Sequence, residues 1–109
     1  MSNPNDPRLK QLKIKTGVVK RIAKEQTMYE KEVIDQGDRI KKMVEENKDE
    51  YDIKKAKEVL EDSRQMVPDC KTRLMNAVYD LEHIIQDSEF DLAESDEFKA
   101  AKTQLEEVL

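Results

Sequence analysis

Residues that make tight turns, cross-links or metal cages are scarce in this chain of 109. It has two glycines, three prolines, one cysteine, one histidine and no tryptophan. Five glycines and prolines are too few for the corners of a β-rich fold, because such turns need positive or fixed φ. Cys70 stands alone, so no intramolecular disulfide can form, in keeping with a reducing compartment. One His (His83) and one Cys cannot supply the usual zinc cages, and no glycine-rich phosphate loop is present. Catalysis, metal binding and cofactor binding are therefore not expected. No run approaches the roughly 18 to 20 apolar residues of a bilayer span, and the polar stretch from Met1 to Pro7 lacks the apolar core of a signal peptide. A cytosolic location is the expectation.

What the chain does have is charge: 41% of residues are charged and 37% hydrophobic, with 5% aromatic and a net charge of −5. Charge at this density suits long helices that bury one stripe and solvate the rest, provided the apolar residues are periodic; without periodicity it would suggest disorder. The periodicity is present. Leu12, Val19, Gln26, Val33 and Ile40 occupy one heptad position, and Ile22, Tyr29 and Met43 the other. Lys15, Gln26 and Gln36 interrupt the stripe, as polar residues that set register do. Asp6 before Pro7 reads as a cap with proline at the first helical position. The first helix is expected from about residue 7 to 46, a rod of roughly 60 Å, with Gly17 and Gly37 inside it.

The polar segment 46–50 reads as an αα-hairpin connection with Asp49 as the next cap, and so short a connection implies antiparallel neighbours. The second seam runs Ile53, Ala56, Leu60, Ser63, Val67, Cys70, Leu74, Ala77, Leu81 and Ile84 in alternating steps of three and four. Pro68 falls inside it without shifting its phase, so one helix over 51–86, kinked at Pro68 and convex to solvent, is expected. Residues 87–91 read as a second connection, pinned to the bundle end by Phe90 and Leu92, with Asp91 or the later Ser95 capping a third helix over 92–108. Phe98, Ala101, Leu105 and Val108 give that helix its stripe. The expected fold is all-α: an elongated antiparallel three-helix bundle, coiled-coil-like and spectrin-like, forming a single domain over 1–109 with residues 1–6 a flexible tail.

The charge is polarised. Residues 1–42 carry +5 and residues 43–109 carry −10; from Arg8 through Lys24 there are seven basic residues and no acidic one. On the heptad wheel Lys10, Lys13, Lys20, Arg21, Lys24 and Lys31 point away from the seam. Such a face either meets an anionic partner or is a solvated surface paired in part with the acidic remainder. Nucleic acid is disfavoured by the negative total and the few aromatics, and a membrane by the missing apolar outer stripe. Apolar residues at outward positions, Ile14, Met28, Met75 and Tyr79, are either contact sites or surface covered by the third helix. Cys70 reads as a small core hydrophobe and His83 as a surface residue near a helix C-terminus.

Four stretches carry a resemblance: Leu12-Lys-Ile-Lys-Thr-Gly-Val-Val-Lys-Arg21, Tyr29-Glu-Lys-Glu32, Tyr51-Asp-Ile-Lys-Lys55 and Ser63-Arg-Gln-Met-Val-Pro-Asp-Cys70. They closely resemble the tubulin-specific chaperone A (tubulin-folding cofactor A) family over nearly the whole chain. Val67, where isoleucine is common, and Gly37 depart from its pattern. The resemblance implies a non-enzymatic chaperone that captures quasi-native β-tubulin after its release from the cytosolic chaperonin and passes it to other tubulin-folding cofactors. It also implies a cytoplasmic, cytoskeleton-associated protein. A basic stripe suits acidic tubulin, and the candidate partner-binding residues are Lys13, Lys20, Arg21, Lys24, Lys31, Lys54, Lys55, Asp69, Met75 and Tyr79. The alternative is a coiled-coil adaptor that homodimerises through Met75 and Tyr79, so the expected state is a monomer or a weak homodimer.

Overall fold

The first helix starts where its cap is satisfied. The Asp6 carboxylate accepts the Arg8 amide at 2.9 Å, and the Asp6 carbonyl accepts the Leu9 amide at 3.0 Å. Pro7 follows at the first helical position, where a missing N–H costs no bond. The structure, a computed structural model, describes residues 4–109. It contains α1 (Pro7–Glu45), α2 (Glu50–Leu92) and α3 (Asp96–Val108), with no strand among the described residues. Among the described residues no helix is long and apolar enough to cross a membrane. Of the expected flexible tail, residues 1–3 lie outside the described residues, while Pro4 and Asn5 form a turn into the Asp6 cap.

The α1–α2 connection is built by one asparagine. Asn47 has φ 54, the left-handed region that Asn tolerates better than most residues. That conformation lets the Lys48 amide reach back to the Met43 carbonyl at 3.0 Å and the Asn47 amide to the Val44 carbonyl at 3.1 Å, closing the carbonyls left open at the helix end. Asp49 then caps α2, its carboxylate accepting the Tyr51 amide at 3.0 Å.

The helices divide into two compact units. The first comprises residues up to 23 together with 72–109. Its core joins Leu12, Val19 and Ile22 of α1, Ala77, Leu81, Ile85 and Leu92 of α2, and Phe98 and Ala101 of α3. The second comprises 24–71. There Ile40, Ala56 and Cys70 are buried, and the polar interruption Gln36 is satisfied because its side-chain amide donates to the Ala56 carbonyl at 3.0 Å.

Four expectations are corrected toward the end of α2. The helix runs to Leu92 instead of 86, so residues 87–91 are helical and not a connection. The reason is that the seam does not stop: Leu81, Ile85, Ser88 and Leu92 are all buried at helical spacing, and no Gly or Pro interrupts them. The real break comes later, at Ser95, whose hydroxyl accepts the Phe98 amide at 3.1 Å and donates to the Leu92 carbonyl at 2.7 Å; Asp91 is not the cap. Phe90 does not pin the bundle end. Two residues from buried Ser88 it points outward and is fully exposed, whereas Leu92 is 1% exposed. Nor is His83 near a C-terminus; it lies in the body of α2, with its ring 4.4 Å from that of Tyr79.

Pro68 lies within α2, which continues on both sides of it. Loss of its backbone N–H and the clash of its ring cost about 3 kcal/mol in an ideal helix interior. The two residues once paired as pins of the bundle end give a direct check by denaturant unfolding. Leu92→Ala should lose about 2 to 5 kcal/mol, and Phe90→Ala should stay within about 0.5 kcal/mol of the wild type.

Candidate functional site

The basic residues of α1 are carried outward by the same periodicity that buries Leu12 and Val19. In the first unit Lys10, Lys13, Lys20 and Arg21 are exposed; in the second, Lys24 and Lys31 are. Lys13 also lines a depression of about 260 Å³ with Thr16 and with Asp96, Glu97 and Ala100 at the start of α3. The sequence places the α1 cations on one helix face but does not reveal where α3 docks, so this neighbour was not legible.

In the first unit Met75 and Tyr79 do come together, 72% and 63% exposed, in a shallow groove of about 340 Å³ with Leu74, Val78, Glu82, Val108 and Leu109. The third helix therefore borders these two residues without covering them. Ile14 and Met28 also stay exposed. In the second unit Lys55 stacks over the Tyr51 ring, its ammonium 5.5 Å from the centroid, and lines a depression of about 380 Å³ with Gln36, Arg39, Met43, Asp52, Ala56 and Val59. Lys54 and Asp69 are exposed on α2 in the same unit. The ten candidates thus decorate several faces and do not converge on one pocket.

Two charged arrangements were not read from the sequence. In the first unit Arg8 forms a clamp: its guanidinium donates to the Asp6 carboxylate at 2.8 Å, to the Asp87 carbonyl at 3.0 Å and to both oxygens of Asp91. Hydrogen bonds from Arg8 hold the carboxyls of Asp6 and Asp91 below the ordinary aspartate value, and the same bonds raise the guanidinium further. The fork geometry of Arg suits two carboxylates at once. The clamp was missed because residues 87–91 read as a loop, and in a loop Asp91 has no predictable direction. The second arrangement, Arg64 and Lys71 flanking Pro68, has a visible signal in the spacing of two cations by two helical turns.

A family description, tubulin binding cofactor A, matches residues 7–105. The chain is 52% identical over 103 residues to "Tubulin-specific chaperone A" of Homo sapiens, covering 94% of each chain. Its fold superposes on the structure "human tubulin chaperone cofactor a" with a TM-score of 0.79 at 49% identity, over 94% of this chain and 98% of that one. A crystal structure of tubulin folding cofactor A from Arabidopsis thaliana superposes with a TM-score of 0.83 at 38% identity, covering 94% of this chain and 95% of that one.

The clamp makes acid sensitivity a readout of Arg8. Carboxyls held below their unfolded value stabilise the fold above that value, and the contribution is lost as pH falls through the folded values. Wild type should therefore be more stable than Arg8→Gln at neutral pH, with the gap closing as the pH drops below the ordinary 3.8 of aspartate. Melting temperatures of the two proteins across this range check it; parallel curves would show that the clamp is not stabilising.

Proposed function

The chain belongs to the tubulin binding cofactor A family and is on that ground a tubulin-folding chaperone, and we propose that it works by holding β-tubulin non-covalently against outer helical faces. It binds quasi-native β-tubulin during assembly of the α/β heterodimer and then yields it to other tubulin-folding cofactors. The observation that carries this reading is the exposed basic face of α1, with Lys20 and Arg21 in the first unit and Lys24 and Lys31 in the second. Charges placed this way speed and steer the encounter with an acidic partner, while exposed apolar groups such as Met75 and Tyr79 supply the anchors that set its lifetime. No covalent chemistry is needed. The reading puts the protein in the cytoplasm, associated with the cytoskeleton, as a monomer or a weak homodimer.

Two features of the fold belong to the same proposal. Helices α1 and α2 run antiparallel, supported in the second unit by the short turn at Asn47 and by the Gln36 to Ala56 bond across it. The axis of α2 bends at Pro68, since in-helix proline is the commonest cause of a kink.

The competing reading is an adaptor that dimerises through the Met75 and Tyr79 groove, which the exposure of both residues favours. Sedimentation equilibrium together with capture of purified β-tubulin separates the two. A monomer that captures β-tubulin supports the chaperone, and a stable dimer without affinity for it supports the adaptor. Reversing Lys20, Arg21 and Lys24 together to Glu should slow association with β-tubulin by about tenfold or more and flatten its salt dependence. An unchanged on-rate would remove the basic face from the mechanism.

A further inference from the structure

Pro68 breaks a local rule in the middle of a 43-residue helix whose apolar seam continues on both sides of it. Features of that kind persist at functional sites, where what is lost in stability serves binding. Proline has no N–H, so residue 68 leaves the carbonyl of Arg64 without its helical donor, and the pyrrolidine ring fills the space where that donor would sit. The consequence lies on the surface of the second unit. Pro68 and Arg64 line one shallow cleft of about 380 Å³, together with Val67 and Lys71 of α2 and Glu30 and Val33 of α1.

The chemistry of this cleft is specific. Val33 and Val67 are half-buried, so the floor is apolar, and Pro68 is exposed at its edge. Arg64 and Lys71 stand on the same face of α2, two turns and roughly 10.5 Å apart along the axis, one on either side of the proline. Neither cation is held in an ion pair among the described residues. Glu30, the acidic residue of the cleft, accepts the Gln26 side-chain amide at 3.1 Å, which orients its carboxylate without cancelling the charge. The cleft therefore carries two exposed cations against one carboxylate, an apolar floor and a carbonyl that Pro68 cannot supply with a helical N–H.

We propose that this cleft is a docking site for an extended acidic polypeptide segment. In a polyproline-type segment, residues three apart face the same side about 9.3 Å from each other, which matches the span from Arg64 to Lys71. Two carboxylates at that spacing reach the two cations. An apolar side chain between them covers Val33 and Val67, and a backbone N–H of the segment donates to the Arg64 carbonyl. DNA fits less well, because its sugar–phosphate backbone carries no hydrogen-bond donor for that carbonyl. The site uses none of the α1 cations at Lys20 and Arg21, so it stands or falls independently of β-tubulin capture.

The probe is a fluorescein-labelled peptide of Glu-Pro-Val repeats, followed by anisotropy and by methyl NMR of the full-length protein; a Lys-Pro-Val peptide is the control. The acidic peptide should bind saturably, more weakly at high salt, and shift the methyl signals of Val33 and Val67, while the basic peptide should not bind. Arg64→Glu with Lys71→Glu should weaken binding at least tenfold. Arg64→Gln with Lys71→Gln, which removes charge without reversing it, should weaken it by a smaller factor. Pro68→Ala should raise the melting temperature and lower the peptide affinity severalfold, a pairing that a purely structural proline would not produce. Lys20→Glu with Arg21→Glu should bind the peptide as wild type does. Undisturbed Val33 and Val67 signals at saturation, unchanged affinity in the Arg64/Lys71 or the Pro68 variant, or loss confined to the Lys20/Arg21 variant would each overturn the proposal.

Discussion

The seam around Leu81 is the constraint on which the rest of the first unit depends. Leu12, Leu81 and Leu92 are almost wholly removed from water, and Phe98 and Ala101 of α3 close the same core. A chain that is 41% charged has few apolar groups to bury, so the burial it achieves has to be concentrated. Among the described residues, nine of the twelve buried hydrophobics belong to this cluster, and the other three, Ile40, Ala56 and Cys70, are in the second unit. The second unit therefore relies more on local devices: the Asn47 turn, the Asp49 cap and the Gln36 bond. Stability of this kind is uneven along a chain, highest where the core is contiguous and lowest where helices are held mainly by their own hydrogen bonds.

Charge has the complementary role. Most of it solvates helix backs and contributes little to stability, as exposed ion pairs generally do. Arg8 is the exception, since its planar fork ties the cap of α1 to the last turns of α2 within the first unit. The α1 cations are left outward by the register that buries Leu12 and Val19, so one helix presents a packed face and a charged face at once. Kinship with the tubulin binding cofactor A family fits that economy, because a chaperone that holds its client without chemistry needs surface and not a pocket.

Periodic features were legible in the sequence and positional ones were not. The stripes of α1 and α2, the Asp6, Asp49 and Ser95 caps, the continuity of the helix through Pro68 and the outward placement of Met75 and Tyr79 all follow from spacing and side-chain chemistry. The end of α2 was misread because acidic residues 87–91 look like a loop, while the deciding signal was the buried pair Ser88 and Leu92 continuing the seam. Lys13 and the Arg8 clamp depended on where α3 and the end of α2 lie, and a single helix wheel does not contain that information. Seam positions shifted by one, with Ile85 and not Ile84 deepest, for the same reason.

Hydrogen exchange of the chain, alone and in complex with purified β-tubulin, tests most directly whether preformed outer faces do the capturing. The account predicts slower exchange in α1 peptides carrying Lys20 to Lys31 and unchanged, slow exchange across the Leu81 seam, because the bundle binds without opening. Faster exchange at Leu81 and Leu92 on binding, or no slowing anywhere in α1, would contradict it.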